Sequence, residues 1–265
     1  MAWDPTQYLK FGNQRLRPAL DLLARVPLKL PLEVVDLGCG AGNVTQALRA
    51  RWPGAATHIT GVDSSPEMLA QARIAEPSAD WVEVDIAGWR PPQPVDLIFS
   101  NAALHWLPDH ATLVPHLMSC LKPGGVLALQ MPNQTGAASH RAIGESIDAA
   151  PIDQAQKDAL NARRVAPLAR ARDYYDWVAA AASVVDQWET VYTHVLAPVS
   201  RETHAVAEWT RSTSLNPVLA ALGAESRAAF WKDYCERMNL AYPQRGDGTT
   251  LFPFRRFFMV VERRQ

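Results

Sequence analysis

Asp36, Gly38, Gly40 and Gly42 stand two apart where the apolar run EVVDL gives way to a helical pattern, in the stretch VVDLGCGAGNVTQAL. Glycine tolerates positive φ and lets backbone N–H groups approach a ligand, and the start of a helix just beyond favours polar or anionic groups there. The chemistry this supports is the holding of a nucleotide-like ligand. The dinucleotide spacing G-x-G-x-x-G would need its third glycine at position 43, which is Asn43, so the spacing speaks against a nicotinamide cofactor. Asp63 closes the next apolar run, HITGVD, where a carboxylate can accept from both hydroxyls of a ribose. Each acid also has a plainer reading: Asp36 as a buried strand-end cap, and Asp63 as a cap of the helix that begins at SSP.

The pattern Asp36-x-Gly38-x-Gly40-x-Gly42 is similar to the loop of class I methyltransferases, which bind S-adenosylmethionine. The resemblance implies a role for the end of each successive strand. Cys39 would belong to the loop; Asp63 and Ser64 would take the ribose, with Met68 in the following helix. Asp85 would accept from the adenine amino group, with Ile86 packed on the ring. Asn101 and Ala102 would lie near the methionine part, and His105 and Trp106 near the transferred methyl group. Ligands of open parallel sheets sit at the carboxyl ends of the strands, so four consecutive strand ends agree on one site. His105, beside Trp106 and Leu107, reads equally as a pocket wall or as a base. Asn101 followed by Ala-Ala-Leu, in place of two prolines and an aromatic residue, speaks against amino-methylation of DNA bases.

A site of this kind needs strands that end together. The runs EVVDL, HITGVD, WVEVD, VDLIFS and GVLALQM have strand length, and helical periodicity separates them near Asn43 to Arg51, Pro66 to Glu76 and Asp109 to Leu121. Ser65 before Pro66 is a helix start, and LKPGG at Leu121 to Gly125 is expected to close a helix. The β-α-β rhythm predicts an α/β fold: a doubly wound, mostly parallel seven-stranded, Rossmann-like sheet with a helical lid insertion and an antiparallel C-terminal edge strand. One domain is expected, with residues 1–30 as an N-terminal helical cap, 31–134 as the cofactor-binding core and 135–182 as the helical lid. Residues 183–265 would add strands and helices to the substrate site.

Composition narrows the partners. With 265 residues and 48% hydrophobic content the chain can bury a full core. Lys+Arg 26 against Asp+Glu 27 leaves a formal charge of -1, which offers no footprint for a nucleic acid. Cys39, Cys120 and Cys235 form no CxxC, so neither a disulfide framework nor a zinc site is expected, and a cytoplasmic protein is. No stretch approaches the roughly 18 uninterrupted apolar residues of a membrane span, and the N-terminus has no leader pattern. The expected partner is a small carboxylic acid, with no nucleic acid, membrane or metal, and the protein a monomer or a homodimer.

Further stretches narrow the family. WDPTQYLKFGNQRLRPALDLL, GVDSSPEMLAQAR, NAALHWLPDH, LKPGGVLALQMP, YYDWV, VDQWETVYTHVL and YPQRGDGTTLFPFRRFFMV, in order along nearly the whole chain, resemble the trans-aconitate 2-methyltransferases. The resemblance implies a bacterial enzyme that esterifies one carboxylate of trans-aconitate or a related polycarboxylic acid. Asn216 departs from the arginine common before the proline in that family, and Ala41 from its frequent proline. The first change bears on which acid is used.

A carboxylate is already an ionised nucleophile near neutral pH, so methyl transfer to it requires no general base. The protein's task is to hold oxygen, methyl carbon and sulfur in line in a desolvated site, with Tyr8, Phe11 and Trp106 as candidate aromatic partners of the sulfonium. A non-reacting carboxylate of the substrate needs a cation, best an arginine fork. The candidates are Arg15 or Arg17 near the N-terminus and Arg255 or Arg256 near the C-terminus. Side chains alternate along a strand, so only one of the last two can face the site, and the resemblance favours Arg256. Tyr174 and Tyr175 are candidate hydroxyl donors to the substrate. The alternative reading is an O-methyltransferase acting on a hydroxyl compound or another acid of secondary metabolism, with His105 as its base.

Overall fold

The computed structural model describes residues 12–199 and 203–265, the first four of them as backbone alone. In chain order the elements are α1 (Gly12–Leu23), β1 (Glu33–Leu37), α2 (Asn43–Arg51), β2 (His58–Asp63), α3 (Pro66–Ala75) and β3 (Asp80–Glu83). Then come β4 (Val95–Asn101), α4 (His110–Ser119), β5 (Leu121–Pro132), α5 (Ala138–Ala149), α6 (Gln154–Asn161) and α7 (Ala171–Val178). The chain ends with β6 (Ala182–Leu196), α8 (Ala205–Arg211), α9 (Asn216–Ala221), α10 (Ala224–Ala241) and β7 (Thr250–Arg263). Single 3-10 turns at Ile86–Gly88 and Leu104–Trp106 follow β3 and β4.

One seven-stranded sheet has the order β3-β2-β1-β4-β5-β7-β6. Parallel pairing joins β3, β2, β1, β4 and β5, and β7 runs antiparallel to β5, with Val126 opposite Glu262 and Pro132 opposite Arg256. Side-chain contacts of Ser183 with Glu262, Gln187 with Met259 and Trp188 with Phe258 run in opposite directions along β6 and β7, so the C-terminal pair is antiparallel. The last strand lies one place in, and β6 takes the edge. Central β1 and β4 are apolar and buried along most of their length, as strands covered on both faces must be, whereas β3 is largely exposed.

Local chemistry sets the ends of the elements. Ser65 caps α3 by accepting from the Met68 N–H at 3.2 Å, with Pro66 in the first turn, where its missing N–H costs nothing. LKPGG does not form a free turn after the helix. Leu121 pairs with Val95 and Val126 with Leu97, so the four residues between them bulge against one, Asp96, whose carboxylate takes Lys122 Nζ at 2.9 Å.

By contacts the chain divides into two compact units. One holds the described residues up to 132 together with 168–190 and 256–265; the other holds 133–167 and 191–255. The first packs Leu37, Ile98, Leu117, Leu127, Tyr174 and Met259 into one core. In the second, Trp209, Phe252 and Phe254 contact one another at ring separations of 5.5 to 6.1 Å, and Phe230 stacks on Tyr234. The segment expected as a lid is thus split: 135–167 belong to the helical unit, while α7 packs in the sheet unit. Among the described residues no helix is long and apolar enough to cross a membrane, and no cluster of acidic, His or Cys side chains could hold a metal.

Candidate active site

The glycine loop joins β1 to α2 with all three glycines at positive φ: 80° at Gly38, 53° at Gly40 and 84° at Gly42. A Cβ on Gly38 would lie 2.1 Å from Ala103 Cβ and 3.2 Å from Ile86 Cδ1, so the loop passes directly against the ends of β4 and β3. A Cβ on Gly42 would meet Ala72 Cα and Trp81 at 3.1 Å. At Gly40 a Cβ would meet nothing within 4 Å, which makes this the open side of the loop.

Asp63 anchors the loop from β2. Its Oδ2 accepts from the Gly40 N–H and its Oδ1 from the Ser65 N–H, both at 2.9 Å. Each carboxylate oxygen keeps a further lone pair, so a half-buried group is held in place and can still accept from a diol. Asp85 is exposed and fixed by the Ala87 N–H at 2.9 Å, with Ile86 beside Gly38.

The end of β4 is strained. Ala102 has φ 54°, a left-handed conformation unusual for a residue with a Cβ, and its N–H is held by the Gln130 carbonyl at 2.9 Å. Beyond it, the turn Leu104–Trp106 carries His105 and Trp106, both partly exposed, with ring centroids 4.8 Å apart. His110 fixes that turn from α4. Its Nε2–H donates to the Leu104 carbonyl at 2.9 Å, which leaves Nδ1 to accept from the Tyr174 hydroxyl at 2.5 Å. Desolvation pushes the Tyr174 phenol above its ordinary range, so it stays a neutral donor to His110.

Arg256 and Arg255 fall on opposite faces of β7. Arg255 is exposed; Arg256 is 3% exposed and donates to Gln130 Oε1 at 3.2 Å. A guanidinium taken so far from water is costly unless it is given hydrogen-bond partners and an anion.

A family described as "Methyltransferase domain" matches residues 8–225. Curated trans-aconitate 2-methyltransferases from Azoarcus sp. (strain BH72) and Methylobacterium nodulans are 48% and 46% identical over 261 residues. These matches cover 98% of this chain and 99% and 98% of those relatives. The chain belongs to the trans-aconitate 2-methyltransferase family. Among solved structures, the YcgJ protein from Bacillus subtilis is similar with a TM-score of 0.59 at 14% identity, covering 94% of this chain and 99% of that one. The Haemonchus contortus phosphoethanolamine N-methyltransferase 2, solved with S-adenosyl-L-methionine, is similar with a TM-score of 0.55 at 16% identity, covering 94% of this chain and 53% of that one. At these identities the likeness speaks for the fold.

For this family member the residues expected at a cofactor separate into two sets. Gly38, Gly40, Asp63, Ile86, Asn101 and Ala102 lie at neighbouring strand ends, with Asp85 and Ser64 exposed beside them. They fit S-adenosylmethionine on two observations: the open side of Gly40, and a buried Asn101 Oδ1 that bonds to no described residue. The second set is sealed in. Asp36 is 1% exposed and accepts from the Thr45 hydroxyl at 2.6 Å; burial, then the nearby Asp63 charge, pushes its carboxyl up to about 7 against the pull of that hydrogen bond. Asp36 therefore braces the loop to α2 and does not face a ligand, which corrects its assignment as a contact. Cys39, Gly42 and Met68 are likewise buried, and burial raises the Cys39 thiol far above its ordinary range. The Cys39 N–H donates to the Val62 carbonyl at 3.0 Å while its carbonyl accepts from the Gly42 N–H at 3.1 Å, so these residues shape the loop and do not face a ligand.

Tyr174 is the second correction. It is fully buried in the core and its hydroxyl serves His110, so it cannot donate to a substrate. Arg17 is exposed, and Asn216 starts α9 in the helical unit. Tyr8, Phe11 and the Arg15 side chain lie outside the described residues. Three contributors were not read from the sequence. Thr45 could have been found as the third residue of a helix facing a buried acid. His110 sits in the quoted stretch LHWLPDH, five residues after His105. Gln130, the one polar residue in the run VLALQM, was the plainest missed signal.

Proposed function

We propose that this chain transfers the methyl group of S-adenosylmethionine to a carboxylate of trans-aconitate or a closely related polycarboxylic acid. The observation that carries the reading is Arg256, a buried arginine at the carboxyl end of the parallel strands in a chain 48% identical to a relative named for that reaction. Bound there, S-adenosylmethionine supplies an electrophilic methyl on a sulfonium. Gly38, Gly40 and Asp63 hold its nucleoside part, with Asp85 and Ile86 at the base, and Asn101 with strained Ala102 at the methionine end. Arg256 neutralises a non-reacting carboxylate and thereby orients the reacting one. Trp106 and His105 close the space around the methyl group, where an aromatic face steadies the positive charge. No residue needs to remove a proton, because the attacking carboxylate is ionised near neutral pH. Alignment and desolvation carry the rate, an effect that reaches about 7–11 kcal/mol in favourable intramolecular cases.

Arg17 is proposed as a second cation for the acid, whereas Arg255, on the opposite face of β7 from Arg256, is not. Three free, buried cysteines support a reducing compartment, the cytoplasm, for a monomer or homodimer acting on a free metabolite. The test is mass spectrometry of purified protein with S-adenosylmethionine and, separately, trans-aconitate, cis-aconitate, citrate and a simple phenol. A monomethyl ester formed with stoichiometric S-adenosylhomocysteine is expected. Methylation of the phenol alone would overturn the reading.

A further inference from the structure

The sheet face that carries Arg256 also carries a buried donor whose orientation is fixed. Gln130 in β5 is the register partner of Asn101 in β4 and of Phe258 in β7, and register partners in a pleated sheet project from one face. Arg256, two residues from Phe258, shares that face. Gln130 is 0% exposed. A guanidinium can only donate, so the Gln130 atom 3.2 Å from Arg256 Nη1 is the amide oxygen. That settles the amide: Nε2, with two N–H groups, points elsewhere. It is buried and bonds to no described residue.

Leaving a buried donor without an acceptor costs more than a typical hydrogen bond contributes, and native interiors seldom do it. The hydrogen bond to Arg256 accounts for Oε1 and leaves the buried Nε2 donor without a role in the sheet. The required complement is an oxygen acceptor enclosed next to a cation. A carboxylate meets both demands, since one oxygen can face the guanidinium and the other the amide.

We infer that Gln130 is a substrate-specificity residue: its Nε2 donates to the same non-reacting carboxylate that Arg256 holds. This rests on the role given to Arg256 above and adds to it a neutral donor that fixes the carboxylate's rotation. A carboxamide of the acid would offer the amide an acceptor but bring no negative charge to the Arg256 guanidinium. An acid lacking the second carboxylate would leave the Gln130 amide unanswered.

The experiment compares wild type, Gln130→Met and Gln130→Glu in steady-state methylation of trans-aconitate, with S-adenosylhomocysteine affinity by calorimetry and melting temperature alongside. Gln130→Met is expected to raise KM for the acid about tenfold or more while kcat falls less than about threefold, the scale for losing a hydrogen bond to a charged group. S-adenosylhomocysteine affinity should stay within about twofold, because the amide serves the acid and not the cofactor. Without ligand, Gln130→Met should change the melting temperature little, because it removes the unanswered donor together with the acceptor that Oε1 gives Arg256. Gln130→Glu, nearly the same shape, should raise KM further, since its carboxylate occupies Arg256 and repels the acid. Wild-type ester formation with an unchanged KM in both variants would overturn the inference alone, and so would a loss that appears equally in S-adenosylhomocysteine affinity. Absence of any ester with wild type would overturn the function and the inference together.

Discussion

At the scale of single residues, the loop glycines differ in what they are for. Gly38 is a packing glycine: at φ 80° a Cβ would sit 2.1 Å from Ala103 Cβ, so any side chain drives β1 and β4 apart. Gly40 is an approach glycine, whose φ of 53° is one that alanine tolerates at a cost of about 1–2 kcal/mol and whose Cβ would enter open space. Gly38→Ala is expected to lower both melting temperature and S-adenosylhomocysteine affinity. Gly40→Ala should lose affinity about tenfold or more with only a small change in melting temperature, because its Cβ stands where the ligand would approach. Calorimetry and a thermal melt on both variants check this. Equal losses of stability would show that the two glycines do one job.

At the scale of elements, the turn after β4 is held by a helix far along the chain. α7 contributes Tyr174, whose hydroxyl fixes His110 of α4, and His110 in turn holds the Leu104 carbonyl at the start of the turn that carries His105 and Trp106. Tyr174→Phe keeps the ring in the core, where it packs against Phe257 and Trp177 at 4.9 Å, but removes the hydrogen bond. It should cost about 1–2 kcal/mol of stability, the usual range for a buried hydrogen bond. If the turn positions residues around the methyl group, kcat should fall while KM for S-adenosylmethionine holds. His110→Gln, which can still donate to Leu104, should restore part of what His110→Phe loses. A Tyr174→Phe enzyme with wild-type kcat would confine the network to structure.

At the scale of the whole molecule, the residues assigned to the cofactor all lie in the sheet unit, while the unit of residues 133–167 and 191–255 supplies none of them. Hydrogen exchange with and without S-adenosylhomocysteine should therefore show protection at 38–42, 63–65, 85–87 and 101–106 first. At about 100 times Kd the ligand should add about 2.7 kcal/mol to the stability of whatever unfolds with that site. Protection confined to the helical unit would place the cofactor elsewhere. Near-zero net charge means that little salt dependence from long-range attraction is expected of an acid substrate's encounter, leaving local cations to hold it.

Sequence alone determined what is local or periodic. The glycine spacing selects a loop, the alternation of apolar runs and helical stretches selects a parallel sheet, and Ser65-Pro66 sets a helix start, because each depends on residues within a few positions of one another. Strand alternation likewise separated Arg255 from Arg256. Only the tertiary structure decided which side chains are sealed. Asp36 and Tyr174 look like ligand contacts by type, yet burial gives their polar atoms to Thr45 and His110, partners 9 and 64 residues away. The last strand's place inside β6 and the meeting of Gln130 with Arg256 across 126 residues are of the same kind. Such pairings arise from register and closure of the core, which bring together positions that no local pattern connects.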